Sequence, residues 1–258
     1  MTANLVETEQ HGPVGLIRLN APEKLNAMSH AMGARLLAAV NATIPVSRAL
    51  ILTGAGRGFC TGAALEGDPA PAQARDLGLP LEQLINPLML ALRASPIPWI
   101  SAVRGPAAGV GASLALAADL VVASETASFI QAFTKVGLVP DGGAGYLLTR
   151  TIGRVRAMEM ALLAEPLPAA RALEWGLVNR VVPDAALEET AMALAQRLAE
   201  GPALALKLTR ASLWAAQEES WESTLTRERH YQDLAGRHAD FDEGIAAFKA
   251  RRKPRFGA

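Results

Sequence analysis

Apolar and polar residues follow one another in a small set of patterns along this chain. VGLIRLN (Val14–Asn20) alternates as a strand does when one of its faces is buried. SHAMGARLLAAVNA (Ser29–Ala42) has helical spacing, and Ser29 is a good N-cap. ALILTG (Ala49–Gly54), WISAVRG (Trp99–Gly105) and ADLVVAS (Ala118–Ser124) are compact apolar runs of buried-strand type. Between the last two, Ala107–Ala117 reads as a glycine-rich turn entering a helix. Gly142–Ile152 predicts another helix, stopped by Gly153.

Beyond Pro183 the pattern changes. Leu187, Ala191, Leu194 and Leu198 keep helical spacing, and Pro202 opens a further helix as its first residue. Strands separated by helices predict an α/β core over residues 1–183, followed by a helical region over residues 184–258. Those C-terminal helices must bury their apolar faces, and a neighbouring subunit is one way to do so.

Composition narrows the possible functions. Half of the 258 residues are hydrophobic, enough for a large core, and 25 basic residues balance 25 acidic ones. A nucleic-acid partner would call for a basic excess, so none is expected. The longest uncharged apolar-rich run, Gly105–Ala118, is too short and too glycine-rich to span a bilayer, and Asp119 closes it. A single cysteine, Cys60, allows no intrachain disulfide, and MTANLVETEQ does not have the form of a secretory signal. The expectation is a soluble, cytoplasmic protein with no membrane partner.

Several familiar chemistries fail on spacing. GAGRGFCTGA (Gly54–Ala63) follows a strand, but Phe59 stands where a dinucleotide fingerprint needs its third glycine. His11, His30, His230 and His238 lie near the chain ends without metal-ligand spacing, so no metal is expected. Ser113 sits in GASLA rather than in a nucleophile elbow, and a lone cysteine at a strand end is usually just buried. What remains is a repeated device, a glycine-rich turn where strand gives way to helix, at Gly62-Ala63 and at Gly109-Val110-Gly111. Free N–H groups at such turns can stabilise an oxyanion. Tight packing of backbone on backbone also explains them, and the residues alone favour that reading.

Three blocks carry a resemblance: FCTGAAL (Phe59–Leu65), AVRGPAAGVGASLALAADLVVAS (Ala102–Ser124) and FTKVGLVPDGGAGYLLTRTIG (Phe133–Gly153). With ALEWGLVNRVVP (Ala172–Pro183) and FDEGIAAFKARRKPRF (Phe241–Phe256), they resemble, in order, the crotonase or enoyl-CoA hydratase/isomerase superfamily. The pattern around Phe129–Asp141 is most similar to its 1,2-epoxyphenylacetyl-CoA isomerase-like and enoyl-CoA isomerase members. The resemblance implies a spiral of ββα units, a helical C-terminal trimerisation region giving a homotrimer or dimer of trimers, and an acyl-CoA substrate. Coenzyme A then enters as part of the substrate, with no separate cofactor. The backbone N–H groups of Ala63 and Val110 would form the oxyanion hole. Lys24, Leu25, Thr61, Leu65, Gly111 and Phe133 would contact CoA or the acyl group, and the basic tail Lys249–Arg255 would either meet CoA phosphates or be a solvated helix end. Val110 replaces a frequent glycine of the family, and Ala64 replaces its usual aspartate.

The two glutamates of the family's hydratases correspond here to Ser113 and Phe133, so that pair is absent. Asp141 falls where some isomerases of the superfamily carry a single catalytic acid. One carboxylate can move a double bond by taking a proton at one end of a dienolate and returning it at the other. The expected activity is therefore an enoyl-CoA isomerase with Asp141 as acid and base. A hydratase with a non-standard site, or a non-catalytic acyl-CoA binding protein, are the alternatives. Asp141 also precedes a glycine-rich helix start, where it would serve as an N-cap; Ala144 leaves that reading without a capping box.

Overall fold

The computed structural model describes residues 4–64, 71 and 76–257. An antiparallel pair, β1 (Val6–His11) and β2 (Val14–Leu19), leads into α1 (His30–Thr43) and β3 (Ala49–Gly54). There follow α2 (Asn86–Arg93), β4 (Trp99–Val103), β5 (Pro106–Ala108), α3 (Val110–Leu116), β6 (Leu120–Ser124) and β7 (Ser128–Ile130). α4 (Ala144–Thr151), α5 (Gly153–Leu163), β8 (Leu167–Pro168), α6 (Ala169–Glu174) and β9 (Arg180–Val182) close the α/β part. The chain continues as α7 (Leu187–Ala199), α8 (Ala203–Ala215), α9 (Trp221–Gly236) and α10 (Ala239–Lys249).

The main sheet has the order β1-β2-β3-β4-β6-β9, parallel except for the β1–β2 pair, and β5-β7-β8 form a second, smaller sheet. A parallel sheet is covered on both faces, so its strands are apolar throughout rather than alternating. β3 shows this most fully, with all six residues buried. Leu50 and Leu52 join Met32, Leu36 and Val40 of α1 in one core. Ala49 and Ile51 face the other way, into a second core with Leu187, Ala191, Ala195 and Ala199 of α7. Those four positions, spaced by four, make the buried stripe of α7.

Two helix starts are fixed by side chains the sequence exposes plainly. Ser29 Oγ accepts from the Met32 N–H at 3.1 Å to begin α1, and Ser220 Oγ accepts from the Ser223 N–H at 3.2 Å to begin α9. Pro202 differs from expectation: it is extended (ψ 105°) and stands as the N-cap of α8, one residue before the helix. Gly153, at φ +75°, separates α4 from α5 rather than ending the helical stretch.

Arg210 ties α8 to the α/β part. Nearly buried, it donates to Asp119 Oδ2 at 2.6 Å and to the carbonyls of Leu92, Arg93 and Ser95 at the end of α2. Asp119 Oδ2 also accepts from the Trp99 N–H at 2.9 Å. Burial still pushes the Asp119 carboxyl above the usual range, against the pull of Arg210. The basic tail folds back on acids: Arg252 pairs with both carboxylate oxygens of Glu243, at 2.6 and 2.8 Å, and Lys253 pairs with Glu200 at 2.5 Å. No helix among the described residues is long and apolar enough to cross a membrane.

Candidate active site

The two glycine turns meet beyond the C-terminal ends of the parallel strands, where open α/β sheets place their ligands. A methyl group built on Gly62 would sit 2.8 Å from the Ala108 carbonyl oxygen and 3.6 Å from Gly109 Cα, so the turns lie backbone against backbone. Both glycines have positive φ, +89° and +53°, which a side chain would strain. Gly111 is held as closely from the other side, because a methyl group there would overlap the Cys60 carbonyl. Packing and exposure of N–H groups are thus not rival explanations of these glycines: the packing brings the amides together.

The orientation of those amides follows from their neighbours. The Met28 N–H donates to the Gly62 carbonyl at 2.7 Å, and the Ala64 N–H donates to the Met28 carbonyl at 3.1 Å. Ala63, between them, turns its own N–H to the opposite side, where no acceptor among the described residues meets it. Across the contact, Ala112 and Ser113 donate to the Gly109 carbonyl at 3.0 and 3.1 Å. Among the described residues, the N–H groups of Val110 and Gly111 therefore remain the uncommitted donors of the first turn of α3. The Phe133 ring packs over Gly109, 3.7 Å from where a Cβ would be, and is buried.

Asp141 lies on the same turn. The Ser113 hydroxyl donates to the Asp141 main-chain carbonyl at 2.9 Å. A methyl group on Gly142 would stand 2.9 Å from Ser113 Cβ and 3.4 Å from Val110 Cγ2, so the Asp141–Gly142 segment rests directly on the start of α3. The carboxyl caps nothing: the N-cap of α4 is Gly143, and no side chain bonds to that helix start. Asp141 Oδ1 is buried with no hydrogen-bond partner among the described residues, and burial pushes the carboxyl up to about 6. Ser113 supplies a hydrogen bond to backbone and no base. Burial likewise raises the Cys60 thiol to about 11, leaving it protonated and unreactive.

Lys24, Leu25 and Thr61 come together a little farther out. Lys24 ends a 3-10 turn, Pro22–Lys24, and is exposed. The Leu25 carbonyl accepts from both the Thr61 N–H and the Thr61 hydroxyl, at 3.2 and 3.3 Å. Leu65 lies outside the described residues. Two residues near the site had no distinguishing signal in the sequence. Asn26 is fully buried: its Oδ1 accepts from the Ala21 N–H at 2.8 Å, and its Nδ2 donates to the carbonyls of Ala55 and Gly58 at 2.9 and 2.8 Å. Gln131, two residues before Phe133, is fully buried with neither amide atom hydrogen-bonded. No group of three or more His, Cys, Asp or Glu among the described residues could hold a metal.

Beside Asp141, a cavity of about 410 Å³ extends from Gly142 and Gly143 between α2, α3, α4 and α8. Its walls are mostly apolar side chains and aromatic rings.

Residues 9–258 match the family described as enoyl-CoA hydratase/isomerase. The 1,2-epoxyphenylacetyl-CoA isomerase of Escherichia coli K12 is 45% identical over 93% of each chain. A probable enoyl-CoA hydratase of Rhodobacter capsulatus is 40% identical over 99% of each. Among solved structures, an enoyl-CoA hydratase subunit I from Geobacillus kaustophilus HTA426 superposes with a TM-score of 0.89 at 38% identity, covering 98% of each chain. The α/β core and the helical C-terminus thus superpose together on a solved structure of that kind. This chain belongs to the enoyl-CoA hydratase/isomerase family, within the crotonase superfamily.

Proposed function

We propose that the protein is an enoyl-CoA isomerase that moves a double bond from the 3- to the 2-position. The observation that carries this is Asp141 itself: its Oδ1 is buried without a hydrogen-bond partner among the described residues, and its backbone rests on the helix turn that presents the Val110 amide. The thioester oxygen accepts from the Ala63 and Val110 N–H groups. The Asp141 carboxylate takes a proton from C2, the electron pair spreads into a dienolate, and charge collects on the oxygen facing the two amides. The carboxylic acid then returns the proton to C4. A carboxyl titrating near 6 suits both halves of this cycle, since it is ionised at neutral pH yet basic enough to accept a proton. Each oxyanion donor contributes on the order of 3–4 kcal/mol to such a step.

Lys24, Leu25, Thr61, Gly111 and Phe133 line the path of CoA and acyl group in this reading, and coenzyme A is present only as part of the substrate. The protein works as a homotrimer or dimer of trimers in the cytoplasm in this reading, and the large apolar side chains left exposed on α5 and α10, Val155 at 73% and Phe248 at 82%, are surfaces that a subunit contact would cover. Hydration of 2-enoyl-CoA is the second reading, favoured by the name of the Rhodobacter capsulatus relative.

Purified protein and Asp141→Asn given 3-enoyl-CoA and 2-enoyl-CoA separate the two. Conversion of 3-enoyl to 2-enoyl by the wild type, lost in the variant by about 100-fold or more, is the expected result. Undiminished conversion in Asp141→Asn overturns the role given to this carboxyl. Formation of 3-hydroxyacyl-CoA from 2-enoyl-CoA as the main reaction replaces isomerisation with hydration.

A further inference from the structure

We propose that Asn26 is a positioning residue for the oxyanion hole, the side chain that sets the Ala63 and Val110 amides relative to each other. This rests on the oxyanion role given to those two amides. Asn26 touches neither the acyl group nor Asp141 in this account, and acts only through the backbone it holds.

The backbone around Asn26 is of a kind that surroundings must enforce. Leu25 and Asn26 both adopt positive φ, +50° and +56°, although neither is glycine. Asparagine bears that conformation better than most residues, and leucine poorly. The Leu25 N–H donates to the Pro22 carbonyl at 3.1 Å, and the Asn26 N–H to the Ala21 carbonyl at 2.9 Å. Asn26 Oδ1 closes the same turn by accepting from the Ala21 N–H, while Nδ2 reaches out of it to the carbonyls of Ala55 and Gly58. The fit there is close: a methyl group on Gly54 would stand 2.6 Å from the Gly58 carbonyl oxygen and 2.8 Å from Asn26 Nδ2.

Two short ladders leave the loop that Asn26 holds, and each ends at one oxyanion donor. In the first, the Phe59 and Cys60 N–H groups donate to the Pro106 carbonyl at 3.1 and 3.3 Å, and the Ala108 N–H donates to the Cys60 carbonyl at 2.9 Å. That fixes β5, and with it Gly109 and Val110. In the second, the Thr61 and Ala64 N–H groups donate to the carbonyls of Leu25 and Met28, and the Met28 N–H donates to Gly62. Ala63 therefore takes its orientation from Leu25–Met28, with which it forms a parallel bridge at Met28. Asn26 belongs to the segment that orients Ala63 and bonds to the loop from which β5 is hung. Its three hydrogen bonds thus join the two ladders.

The test reads the carbonyl itself. Hexanoyl-CoA labelled with carbon-13 in its thioester carbonyl is bound to wild type, Asn26→Gly and Asn26→Asp, and the C=O stretch is followed by infrared difference spectroscopy. Glycine suits the positive φ, so Asn26→Gly removes the three bonds without adding backbone strain. Asn26→Asp keeps the shape and the bond from Ala21, and loses the donors to Ala55 and Gly58. In wild type two amide donors should lower the stretch relative to the free thioester. At pH 7 that shift is expected to fall by about half or more in both variants. The kcat for 3-hexenoyl-CoA should fall by about 10- to 100-fold, with its pH profile in place. At pH 5, where protonation returns one donor, Asn26→Asp should recover part of the shift; if Asn26→Gly does not fold, this comparison carries the test. A variant that only folds less completely loses kcat in proportion and leaves the stretch of its bound ligand unmoved. That result, or no recovery in acid, overturns the proposal. A wild type whose bound carbonyl is unshifted refutes the oxyanion reading and the role of Asn26 with it.

Discussion

The Ser113 hydroxyl donates to the main-chain carbonyl of Asp141 at 2.9 Å, joining the helix that presents the Val110 amide to the segment that carries the acid. The serine holds backbone in place.

Ser113→Ala removes that bond and leaves the buried Asp141 carbonyl with one partner fewer. A stability loss of about 1 kcal/mol is expected in denaturant titration. The isomerisation kcat should fall several-fold, with KM and the pH profile little changed, because the carboxyl keeps its environment and loses only its fixed position. A shifted pH profile would show instead that Ser113 acts on the ionisation of Asp141.

The pH dependence of rate and of stability should both report Asp141. As the base it must be ionised, so kcat/KM is expected to rise with pH through about 6 and then level. Stability runs the opposite way. A carboxyl whose folded pKa lies above its unfolded value of about 3.9 costs stability as pH rises from 4 to 6, and the cost persists above 6. Asp141→Asn, which cannot ionise, should therefore melt higher than wild type at pH 8, by the equivalent of about 1–2 kcal/mol after allowing for partial exposure, and show no such gain at pH 4. Equal melting shifts at both pH values would remove the buried charge as their cause.

Asn26→Asp keeps the shape of a fully buried side chain and replaces its amide N–H donors with a carboxylate oxygen facing the carbonyls of Ala55 and Gly58. A loss of about 3 kcal/mol or more is expected at neutral pH, from a buried acceptor set against acceptors. Because protonation restores one donor, the deficit should shrink in acid. Chemical denaturation at pH 7 and pH 5 measures it.

Arg210→Met should be among the more damaging single changes in the C-terminal helices. It strips the partner from the buried Asp119 and three carbonyls at the end of α2, a loss of about 3–5 kcal/mol. Adding Asp119→Asn should recover part of it, since the uncompensated charge goes while the Trp99 N–H keeps an acceptor. A double variant no more stable than the single one would assign the loss to the carbonyls alone.

Sequence patterns reached the elements whose side chains obey one rule along their length. β3, α1 and α7 are buried on regular faces, and their periodicity says so. β1 escaped because it is an edge strand with only Val6 buried, so VETEQH shows no apolar alternation. The two readings of Asp141, base or cap, could not be separated by residue type, because they turn on where α4 begins. Gly142 and Gly143 both adopt positive φ, the helix starts at Ala144, and the acid is left too far back to cap it. The partners of Arg210, Arg252 and Lys253 are set by how remote segments meet: Asp119 is 91 residues from Arg210, and Glu200 is 53 from Lys253. No local spacing encodes such pairs.

The alanine stripe of α7 has a consequence for synthesis. Nearly all the groups assigned to the chemistry lie between Lys24 and Asp141, and they precede Leu187 in the chain. Yet until α7 leaves the ribosome, Val14, Leu16, Ile51, Ile100 and Val122 form a bare apolar sheet face. A nascent chain stopped before that helix would hold every residue of the proposed site and still carry an adhesive surface open to aggregation. A helix outside the proposed site thus sets the moment at which the sheet that carries it becomes safe to release.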